Sequence, residues 1–416
     1  MAGIADVLAR VAGGGRVAFT AYDGSRAGDD DAPVTVHVRH EEALRHLVTA
    51  PGELGLARAF VSGALDLDGD LHTALGLLTR SAVADLTPVE RLRVLGALGP
   101  RVLRPIAAPA QERPGRLVRG LRVARAHSRQ RDAEAVSHHY DVSNEFYERL
   151  LGPSMAYTCA VYPRPDATLE EAQTEKVDLV CRKLGLRPGM RLLDVGCGWG
   201  TMARHAARQY GVHVLGVTLS RAQVEWNAKA IAEEGLTDLV EVRYQDYRDV
   251  TEDGFDAASS IGMMEHVGLA QYATYVAQLR DRLRPGGRLL NHTITRHDGT
   301  QKTIVRRGFI ARYVFPDGEI PAPSEVLRVL HDGGLEVRHS ENLREHYALT
   351  LRDWCANLDA TWDQAVAELG QPTARVWALY LAGSRLAFEG DRLELHQVLA
   401  TKTVDGHSGM ALRPDW

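Results

Sequence analysis

RLLDVGCGWG, residues 191–200, is the stretch that decides the fold of this chain. Its apolar run ends at Asp194, and Gly196, Gly198 and Gly200 follow at every second position. The next ten residues, TMARHAARQY, have helical spacing, so the stretch predicts a strand, a tight turn and a helix. Glycine suits such a turn because the backbone bends sharply and a ligand can approach it closely. Turns of this kind bind NAD, FAD, nucleotides or S-adenosylmethionine, so the surrounding sequence has to decide between them.

Strand-like and helix-like segments alternate after this turn. The strand-like segments include GVHVLGVTLS, VEVRYQDY and RLLNHTIT, and helical patterns such as RAQVEWNAKAIAEEG lie between them. Alternation predicts an α/β fold with a doubly wound, mostly parallel sheet whose ligands bind at the carboxyl ends of the strands. The functional candidates therefore directly follow the strands, at residues 196–200, 218–223, 245–247, 262–266 and 292–294.

The overall composition is that of an ordinary globular protein. Its 416 residues suffice for two or three domains, and the net charge of −5 argues against a protein that coats nucleic acid. No apolar run reaches the about 18 residues of a membrane span, and the N-terminus lacks the pattern of a signal peptide, so we expect a cytoplasmic protein. The cysteines lack metal-ligand spacing, and we expect reduced thiols and no metal site. They are Cys159, Cys181, Cys197 and Cys355.

Residues 1–90 predict a small α+β domain. Strand-like runs (RVAFTAY, PVTVHVRH) and helical runs (EEALRHLVTA, DLHTALGLLTR) are separated by turn residues. The segment has no evident catalytic cluster, and we expect a docking module for the substrate.

Residues 91–131 predict a basic linker that ends in a helix, with eleven arginines against one acid, Glu112. Arg116, Arg119 and Arg122 recur at helical spacing beside apolar residues, which suits an anionic bilayer surface. A solvated helix whose arginines pair with the acidic remainder of the chain explains the pattern equally well. Nucleic acid fits less well because aromatic residues that could stack on bases are absent from the stretch.

Two further segments predict walls of a ligand site. Residues 138–141, HHYD, precede the glycine turn and indicate a lid with His139 and Tyr140. Residues 296–390 combine helical runs with aromatic residues, as expected of a helical cap over an apolar substrate, although core packing would give the same pattern. The cap candidates are Tyr313, Phe315 and Tyr380.

The glycine motif also separates the possible cofactors. A dinucleotide site requires GxGxxG and an acid at the end of the second strand. This chain has GxGxG, and its second strand ends in residues 217–220, VTLS, without an acid. DVGCGWG resembles the first motif of class I S-adenosylmethionine-dependent methyltransferases, and RLRPGGRLL is similar to the turn before their fifth strand.

Six ordered motifs narrow the resemblance. HHYDVSNEFYERLLGPSMAYTCAVY, LLDVGCGWG, GVTLSRAQ, QDYRD, GMMEHVG and LLNHTI resemble those of the cyclopropane fatty acid synthase family, which alkylates cis double bonds of lipid acyl chains. The resemblance implies a catalytic domain at residues 132–416 with a seven-stranded sheet. APGELGLARAFVSG resembles part of the extra N-terminal domain of phospholipid-acting members. LLNHTITRHDG is most similar to an actinobacterial subgroup that forms 10-methylene, and then 10-methyl (tuberculostearic-type), acyl chains.

The resemblance also implies a site. A bound bicarbonate would act as base, held by Cys159, Glu265, His292, the backbone of Ile294, and Tyr347; we call these five the cradle residues. Thiol, imidazole, phenol and amide groups can all donate hydrogen bonds to an oxyanion, so this role is chemically coherent. Asp246 is expected to bind the adenine amine. The residues expected around S-adenosylmethionine are Tyr157, Thr158, Asp194, Gly196, Gly198, Gly200, Thr218, Gln223, Gln245 and Asp246.

The implied reaction is methyl transfer to phospholipid-bound oleoyl chains at the inner face of the membrane. No motif distinguishes a methylene product from a cyclopropane, so a cyclopropane-fatty-acyl-phospholipid synthase remains an alternative, as does a non-catalytic lipid-binding protein. A homodimer and a separate reductase acting on the product are further expectations that the sequence does not decide.

Overall fold

The computed structural model describes residues 3–12, 16–80, 96, 99–112, 143–300, 308–315 and 318–416. The chain divides into two compact units. The first consists of Met1–Arg119, Arg306–Pro316 and Leu358–Leu386, and the second of Gly120–Val305, Asp317–Asn357 and Ala387–Trp416.

The first unit contains a four-stranded sheet in the order β2-β1-β3-β4. Its strands β1 and β3 are parallel, and the other pairs are antiparallel. Val34, Val36 and Val38 are buried while the residues between them are half-exposed, so one face of the sheet carries the core. The predicted α+β character is therefore confirmed. The elements are α1 (Ile4–Val11), β1 (Val17–Ala21), β2 (Arg26–Ala27), β3 (Val34–Val38), α2 (Glu41–Thr49), α3 (Glu53–Val61), β4 (Leu65–Asp68) and α4 (Leu71–Arg80).

Residues 99–112 belong to this unit rather than to a free linker. Arg45 donates to the carbonyl oxygens of Arg104 and Pro105. The side chain of Glu112 is 3% exposed and accepts hydrogen bonds from Arg58 Nε at 2.5 Å and Nη2 at 2.7 Å. The one acid of the arginine-rich stretch is thus a buried partner of the first unit. Most of the predicted basic linker, including Arg116, Arg119 and Arg122, lies outside the described residues.

The second unit contains the predicted seven-stranded sheet, in the order β10-β11-β9-β8-β5-β6-β7. Strands β7, β6, β5, β8 and β9 run parallel, whereas β11 is antiparallel to both of its neighbours. This confirms the doubly wound, mostly parallel sheet. The strands are β5 (Arg191–Val195), β6 (His213–Thr218), β7 (Val240–Tyr244), β8 (Phe255–Ile261), β9 (Leu283–Arg296), β10 (Glu336–Asn342) and β11 (Leu393–Thr401).

Helices cover both faces of this sheet. Leu192 packs in one buried cluster with Val180 and Ala203, whereas its neighbour Leu193 packs in another with Tyr275. Successive strand residues point to opposite faces, so the sheet is buried on both sides. The remaining helices are α5 (Asn144–Leu151), α6 (Leu169–Leu184), α7 (Thr201–Tyr210), α8 (Arg221–Glu233), α9 (Met264–Val267), α10 (Tyr272–Arg282), α11 (Phe309–Tyr313), α12 (Pro323–Asp332), α13 (Arg344–Ala360), α14 (Trp362–Leu369) and α15 (Gln371–Glu389).

Residues 296–390, the predicted cap, are divided between the two units, and their role as a cap remains a prediction. Segments 306–316 and 358–386 group with the N-terminal residues, while residues 317–357 group with the seven-stranded sheet. One physical reason is Arg375, whose guanidinium donates to the carbonyl oxygens of Phe60 at 2.7 Å and Leu65 at 3.3 Å. The aromatic helix α15 therefore contributes largely to the core of the first unit.

Candidate active site

The three glycines after β5 have left-handed backbone angles, with φ of 72° at Gly196, 55° at Gly198 and 72° at Gly200. A Cβ at Gly196 would lie 2.3 Å from Met263 Sδ, and one at Gly200 would lie 1.9 Å from Asn227 Oδ1. A Cβ at Gly198 would meet no atom of the described residues within 4 Å. The outer glycines are therefore required by packing, and the middle one leaves space for a ligand to approach.

Asn227 holds this turn and was not predicted from the sequence. From the buried face of α8, its Nδ2 donates to the carbonyl oxygens of Gly198 at 2.9 Å and Gln223 at 2.8 Å. An asparagine inside a helix gives no local signal of such a role, because its partner lies 29 residues earlier.

Neutral polar groups follow β6, where a dinucleotide-binding fold would place an acid. Thr218 Oγ1 donates to Gln223 Oε1 at 2.6 Å, and Ser220 caps α8 by accepting from the Gln223 backbone N–H at 3.3 Å. Both Thr218 and Gln223 are buried. The structure thus brings these two predicted cofactor residues together beside the glycine turn.

Asp246 follows β7 and is already bonded within its own turn. Its Oδ1 accepts from the backbone N–H of Arg248 at 2.9 Å and from Nε of Arg248 at 2.8 Å. An adenine amine would have to share this carboxylate with the guanidinium, so its predicted role remains a prediction. Gln245 donates to the Asp249 carbonyl at 2.8 Å.

Asp194 ends β5 with one carboxylate oxygen bonded and one without a partner. Oδ1 accepts from Ser259 Oγ at 2.7 Å, whereas Oδ2 is buried and has no hydrogen-bond partner among the described residues. Burial raises the pKa of this carboxyl to about 6, against the opposing effects of Ser259 and Lys176. A buried oxygen of this kind at a strand end fits a cofactor that donates hydrogen bonds.

Two buried side chains of α6 hold the segment that carries Tyr157, Thr158 and Cys159. Gln173 Nε2 donates to the Thr158 carbonyl at 2.8 Å, and Lys176 Nζ donates to Thr158 Oγ1 at 2.9 Å. Lys176 is 2% exposed, and burial lowers its pKa to about 8, opposed by the neighbouring Cys159 and Asp194. The sequence did not predict either residue, because both fit the pattern of an ordinary amphipathic helix.

Glu265 and Ile294 are in direct contact. Oε1 of Glu265 accepts from the Ile294 backbone N–H at 2.7 Å, and no described residue bonds the buried Oε2. Burial raises the pKa of Glu265, while hydrogen bonding, mainly from Ile294, opposes the shift. The backbone N–H of Ile294, a predicted cradle group, is therefore bonded to Glu265, another cradle residue.

His292 lies two residues earlier on β9 and is 1% exposed. Its Nδ1 is 3.2 Å from Gln397 Nε2, and its buried Nε2 has no partner in the described part of the chain. Burial first, and then the charges of Lys176 and Lys183, place its pKa well below the ordinary value. The imidazole is therefore neutral at physiological pH.

Cys159 is fully buried, and burial raises its thiol pKa. Its Sγ donates to the Ala160 carbonyl at 3.1 Å, so the thiol is a protonated donor rather than a nucleophile. Tyr347 is 7% exposed and packs edge-on against Trp354 at 6.1 Å.

Aromatic rings connect the glycine turn to Tyr347. Ring centroids lie 4.6 Å apart for Trp199 and Tyr147, 5.7 Å for Tyr147 and Tyr157, and 5.4 Å for Tyr157 and Trp354. Trp354 in turn contacts Tyr347. Such a row excludes water and strengthens the electrostatic interactions of the polar groups beside it.

The other predicted substrate residues that the structure describes belong to the first unit. Tyr313 is 3.3 Å from Glu112, and Phe315 packs against Tyr380 at 5.9 Å, all within the first unit. Their contact with an acyl chain remains a prediction. His139 and Tyr140 lie outside the described residues.

Other features bear on the expectations for thiols, metals and membranes. The four cysteines are thiols that form no disulfide with one another, as predicted. In the described ranges, one group of possible metal ligands comes together largely at the surface, and none of its members is a predicted site residue: His297, Asp391 and Glu394. None of the described helices is both long enough and apolar enough to cross a bilayer.

The model of the mycolic acid cyclopropane synthetase family matches residues 127–398, more than half of the chain. The chain belongs to this cyclopropane synthase family. Its members are methyltransferases that use S-adenosylmethionine, and this chain is accordingly a fatty acid methyltransferase of that type. The family predicted from the six ordered motifs is confirmed.

Similar proteins of the cyclopropane synthase family differ in how much of the chain they cover. The probable fatty acid methyltransferase Rv3720 of Mycobacterium tuberculosis is 54% identical and covers 96% of this chain and 94% of its own length. The cyclopropane-fatty-acyl-phospholipid synthase of Escherichia coli is 31% identical and covers 92% of both chains. Cyclopropane mycolic acid synthase 2 of Mycobacterium leprae is 39% identical over 60% of this chain.

Solved structures of family members match about two thirds of the chain. The cyclopropane synthase MmaA2 of M. tuberculosis has a TM-score of 0.62 at 35% identity, covering 65% of this chain and 98% of its own. The mycolic acid cyclopropane synthase CmaA1, in complex with S-adenosylhomocysteine (SAH) and CTAB, has a TM-score of 0.61 at 32% identity over the same shares. The fold and the cofactor class predicted from the glycine motif agree with these relatives.

Proposed function

We propose that this methyltransferase transfers the methyl group of S-adenosylmethionine to the cis double bond of phospholipid-bound oleoyl chains and forms a 10-methylene acyl chain. The observation that carries the proposal is the pair of buried atoms Glu265 Oε2 and His292 Nε2, neither of which has a partner among the described residues. Buried polar atoms favour a hydrogen-bond partner, so two without one near the ends of the adjacent strands β8 and β9 fit a bound polar group.

Bicarbonate suits the chemistry of the cradle residues. When bound, S-adenosylmethionine supplies the methyl group, and bicarbonate supplies a base for the proton that the methylated acyl chain must lose. The neutral His292 is available to donate a hydrogen bond to an anion, and the protonated Cys159 can donate one if its single S–H turns away from the Ala160 carbonyl. Glu265 is buried with a raised pKa, so it can hold a proton and orient its partners through its bond to Ile294.

The site also limits side reactions of a carbocation in the acyl chain. The thiol of Cys159 stays protonated because burial raises its pKa, and a protonated thiol is a poor nucleophile. The aromatic row from Trp199 to Tyr347 keeps water away from the reacting carbon atoms. Positioning the double bond against the donor in such surroundings can contribute about 7–11 kcal/mol to catalysis.

The extent of similarity supports a phospholipid substrate. The phospholipid-acting relative from E. coli covers 92% of this chain, including the N-terminal residues, whereas the mycolic acid synthase of M. leprae covers only 60%. The first unit is therefore our candidate for the part that docks on the lipid surface. We place the enzyme at the inner face of the membrane, with Arg116, Arg119 and Arg122 attracted to anionic lipid.

The fate of the carbocation determines the product. A hydride shift along the acyl chain, followed by loss of a methyl proton to the base, gives a methylene branch. Loss of the methyl proton with closure of the methyl carbon onto the unshifted cation gives a cyclopropane. The methylene assignment rests on the subgroup resemblance of LLNHTITRHDG, and the E. coli relative favours the cyclopropane as second candidate.

Incubation of the purified protein with methyl-labelled S-adenosylmethionine and oleoyl-phospholipid vesicles tests the reaction. We expect the label in the lipid, and NMR of the product separates an exocyclic methylene from a ring. Label that enters only small molecules or protein would refute the proposal. Vesicle binding without turnover, unchanged by Glu265→Ala, would identify a non-catalytic lipid-binding protein instead.

A further inference from the structure

Three side chains form a row across adjacent strands and end at His292. His292 on β9 lies directly opposite Gln397 on β11, and Gln397 lies directly opposite Glu341 on β10. Directly opposed residues point to the same face of a sheet, so their side chains are neighbours. Lys183, in the last turn of α6, covers this row and is completely buried.

Lys183 determines how the amide of Gln397 is oriented. Its Nζ bonds to the Glu341 carboxylate and lies 2.8 Å from Gln397 Oε1. An ammonium group can only donate hydrogen bonds, so the amide atom that faces it must be the oxygen. Burial lowers the pKa of Lys183, and the bonded Glu341 carboxylate opposes this shift by favouring the charged form. The amide cannot turn without placing its NH₂ group against this ammonium.

The fixed amide in turn determines the proton position on His292. Gln397 Nε2 lies 3.2 Å from His292 Nδ1, and an amide NH₂ can only donate. Nδ1 must therefore accept, which requires an unprotonated Nδ1 and a proton on Nε2. Because the imidazole is also neutral, its single N–H is the one on the buried Nε2 atom that no described residue bonds.

We infer that Lys183 and Gln397 are positioning residues that hold His292 in the Nε2–H tautomer, so that His292 serves the reaction as a hydrogen-bond donor to an anion and not as its base. The inference rests on the proposed function for the identity of that anion. It also assigns a role to two buried polar residues that lie outside the predicted site. Through this row, the exposed end of the Glu341 side chain is connected to the interior of the site.

The tautomer can be measured directly by ¹H–¹⁵N NMR of protein labelled at histidine, recorded at pH 8. His292→Asn identifies the signal of His292 among the 17 histidines. We expect a protonated Nε2 and an unprotonated Nδ1 in the unsubstituted protein. A proton on Nδ1, or an equal mixture of both tautomers, would overturn the inference without any need for a further variant.

The substitution Gln397→Glu tests whether Gln397 determines the tautomer of His292. A carboxylate at this position accepts from Lys183 and from His292, so the proton of His292 should move to Nδ1 while Lys183 keeps a partner. His396→Gln is the matched control, because His396 is the adjacent residue of β11, points to the opposite face and bonds to Thr295 at 2.8 Å. An unchanged tautomer in Gln397→Glu would refute the role of Gln397.

Turnover gives a second, independent readout. Loss of one hydrogen bond to an anion should raise the bicarbonate concentration for half-maximal rate about 10- to 100-fold in Gln397→Glu. S-adenosylmethionine affinity should stay constant, whereas general damage to the fold would change both. If Gln397→Glu does not fold, Lys183→Met frees the amide and should give mixed tautomers; one unchanged tautomer would exclude Lys183 from this role. If the rate of methyl transfer does not depend on bicarbonate, the proposed base is refuted. The tautomer of His292 measured by NMR is not affected by that outcome.

Discussion

The backbone N–H of Ile294 donates to Oε1 of Glu265 at 2.7 Å and thereby joins the helix after β8 to the strand that carries His292. Only one oxygen of Glu265 is used in this bond, and the other is buried without a partner in the described residues. The same carboxylate therefore fixes the backbone of β9 and leaves one oxygen available to a ligand.

Glu265→Gln should separate these two roles. The amide oxygen can still accept from Ile294, but the side chain can no longer take up a proton. We expect methyl transfer to slow by about 10²- to 10⁴-fold with unchanged S-adenosylmethionine affinity, measured by label incorporation and calorimetry. Glu319→Gln is the control, because Glu319 also accepts from a backbone N–H, that of Leu269 at 2.7 Å. Full turnover in Glu265→Gln would contradict the assignment.

Gly198→Ala should weaken cofactor binding without disrupting the turn. The new Cβ meets no described protein atom within 4 Å, and the left-handed φ of 55° costs only about 1–2 kcal/mol. We expect an affinity for S-adenosylmethionine at least about tenfold lower, by calorimetry. Gly189→Ala has a similar positive φ and open surroundings outside the turn, and should leave the affinity unchanged. Equal effects of the two substitutions would show that strain alone is responsible.

Burial of Lys176 should make the stability of the protein depend on pH in the alkaline range. Burial lowers the pKa of Lys176 from 10.5 to about 8, so between these values the unfolded chain holds a proton that the folded chain has lost. The free energy of unfolding should therefore rise with pH across this window, by roughly 3 kcal/mol relative to Lys176→Met. Denaturant unfolding at pH 7.5 and 10 measures the difference. Lys229→Met, at a 77% exposed side chain, should show no such change.

Arg375→Met should loosen the first unit. The guanidinium donates to the carbonyl oxygens of Phe60 and Leu65 and lies 3.1 Å from Asp66 Oδ1, and its loss leaves buried acceptors unpaired. We expect a loss of about 3 kcal/mol, seen as faster hydrogen exchange in residues 57–68. Arg328→Met, at a 69% exposed ion pair, serves as the control. Unchanged exchange in residues 57–68 would contradict this packing.

The cofactor side of the site could be predicted from sequence because its constraints are local. A strand, three glycines and a helix within 20 residues fix the turn after Asp194, and alternating segments indicate which residues follow strands. The cradle residues are spread between Cys159 and Tyr347, and only the family resemblance placed them together. Their contacts depend on strand pairing that no short pattern encodes.

Buried polar residues were the main omission. LEEAQTEKVDLVCRKL has charges at the spacing of a solvated helix face, yet Lys176 and Lys183 are both buried. Lys183 can be buried because it bonds to Glu341 and Gln397. These partners lie 158 and 214 residues away in the sequence, so no local pattern indicates them. The contacts of α15 could not be predicted for the same reason, since Arg375 bonds to the Phe60 carbonyl at a separation of 315 residues.

The position of β11 in the sheet affects folding of the chain during its synthesis. This strand is the last of the sheet in the chain, yet it lies between β9 and β10. While the ribosome adds the roughly one hundred residues that separate β9 from the end of β11, at about 5–20 residues per second, the edge of β9 remains unpaired. An unpaired edge invites association with other chains. The nascent chain is therefore prone to aggregate during these seconds. β11 ends the exposure when it pairs with β9, and this same strand carries Gln397, which lies opposite His292.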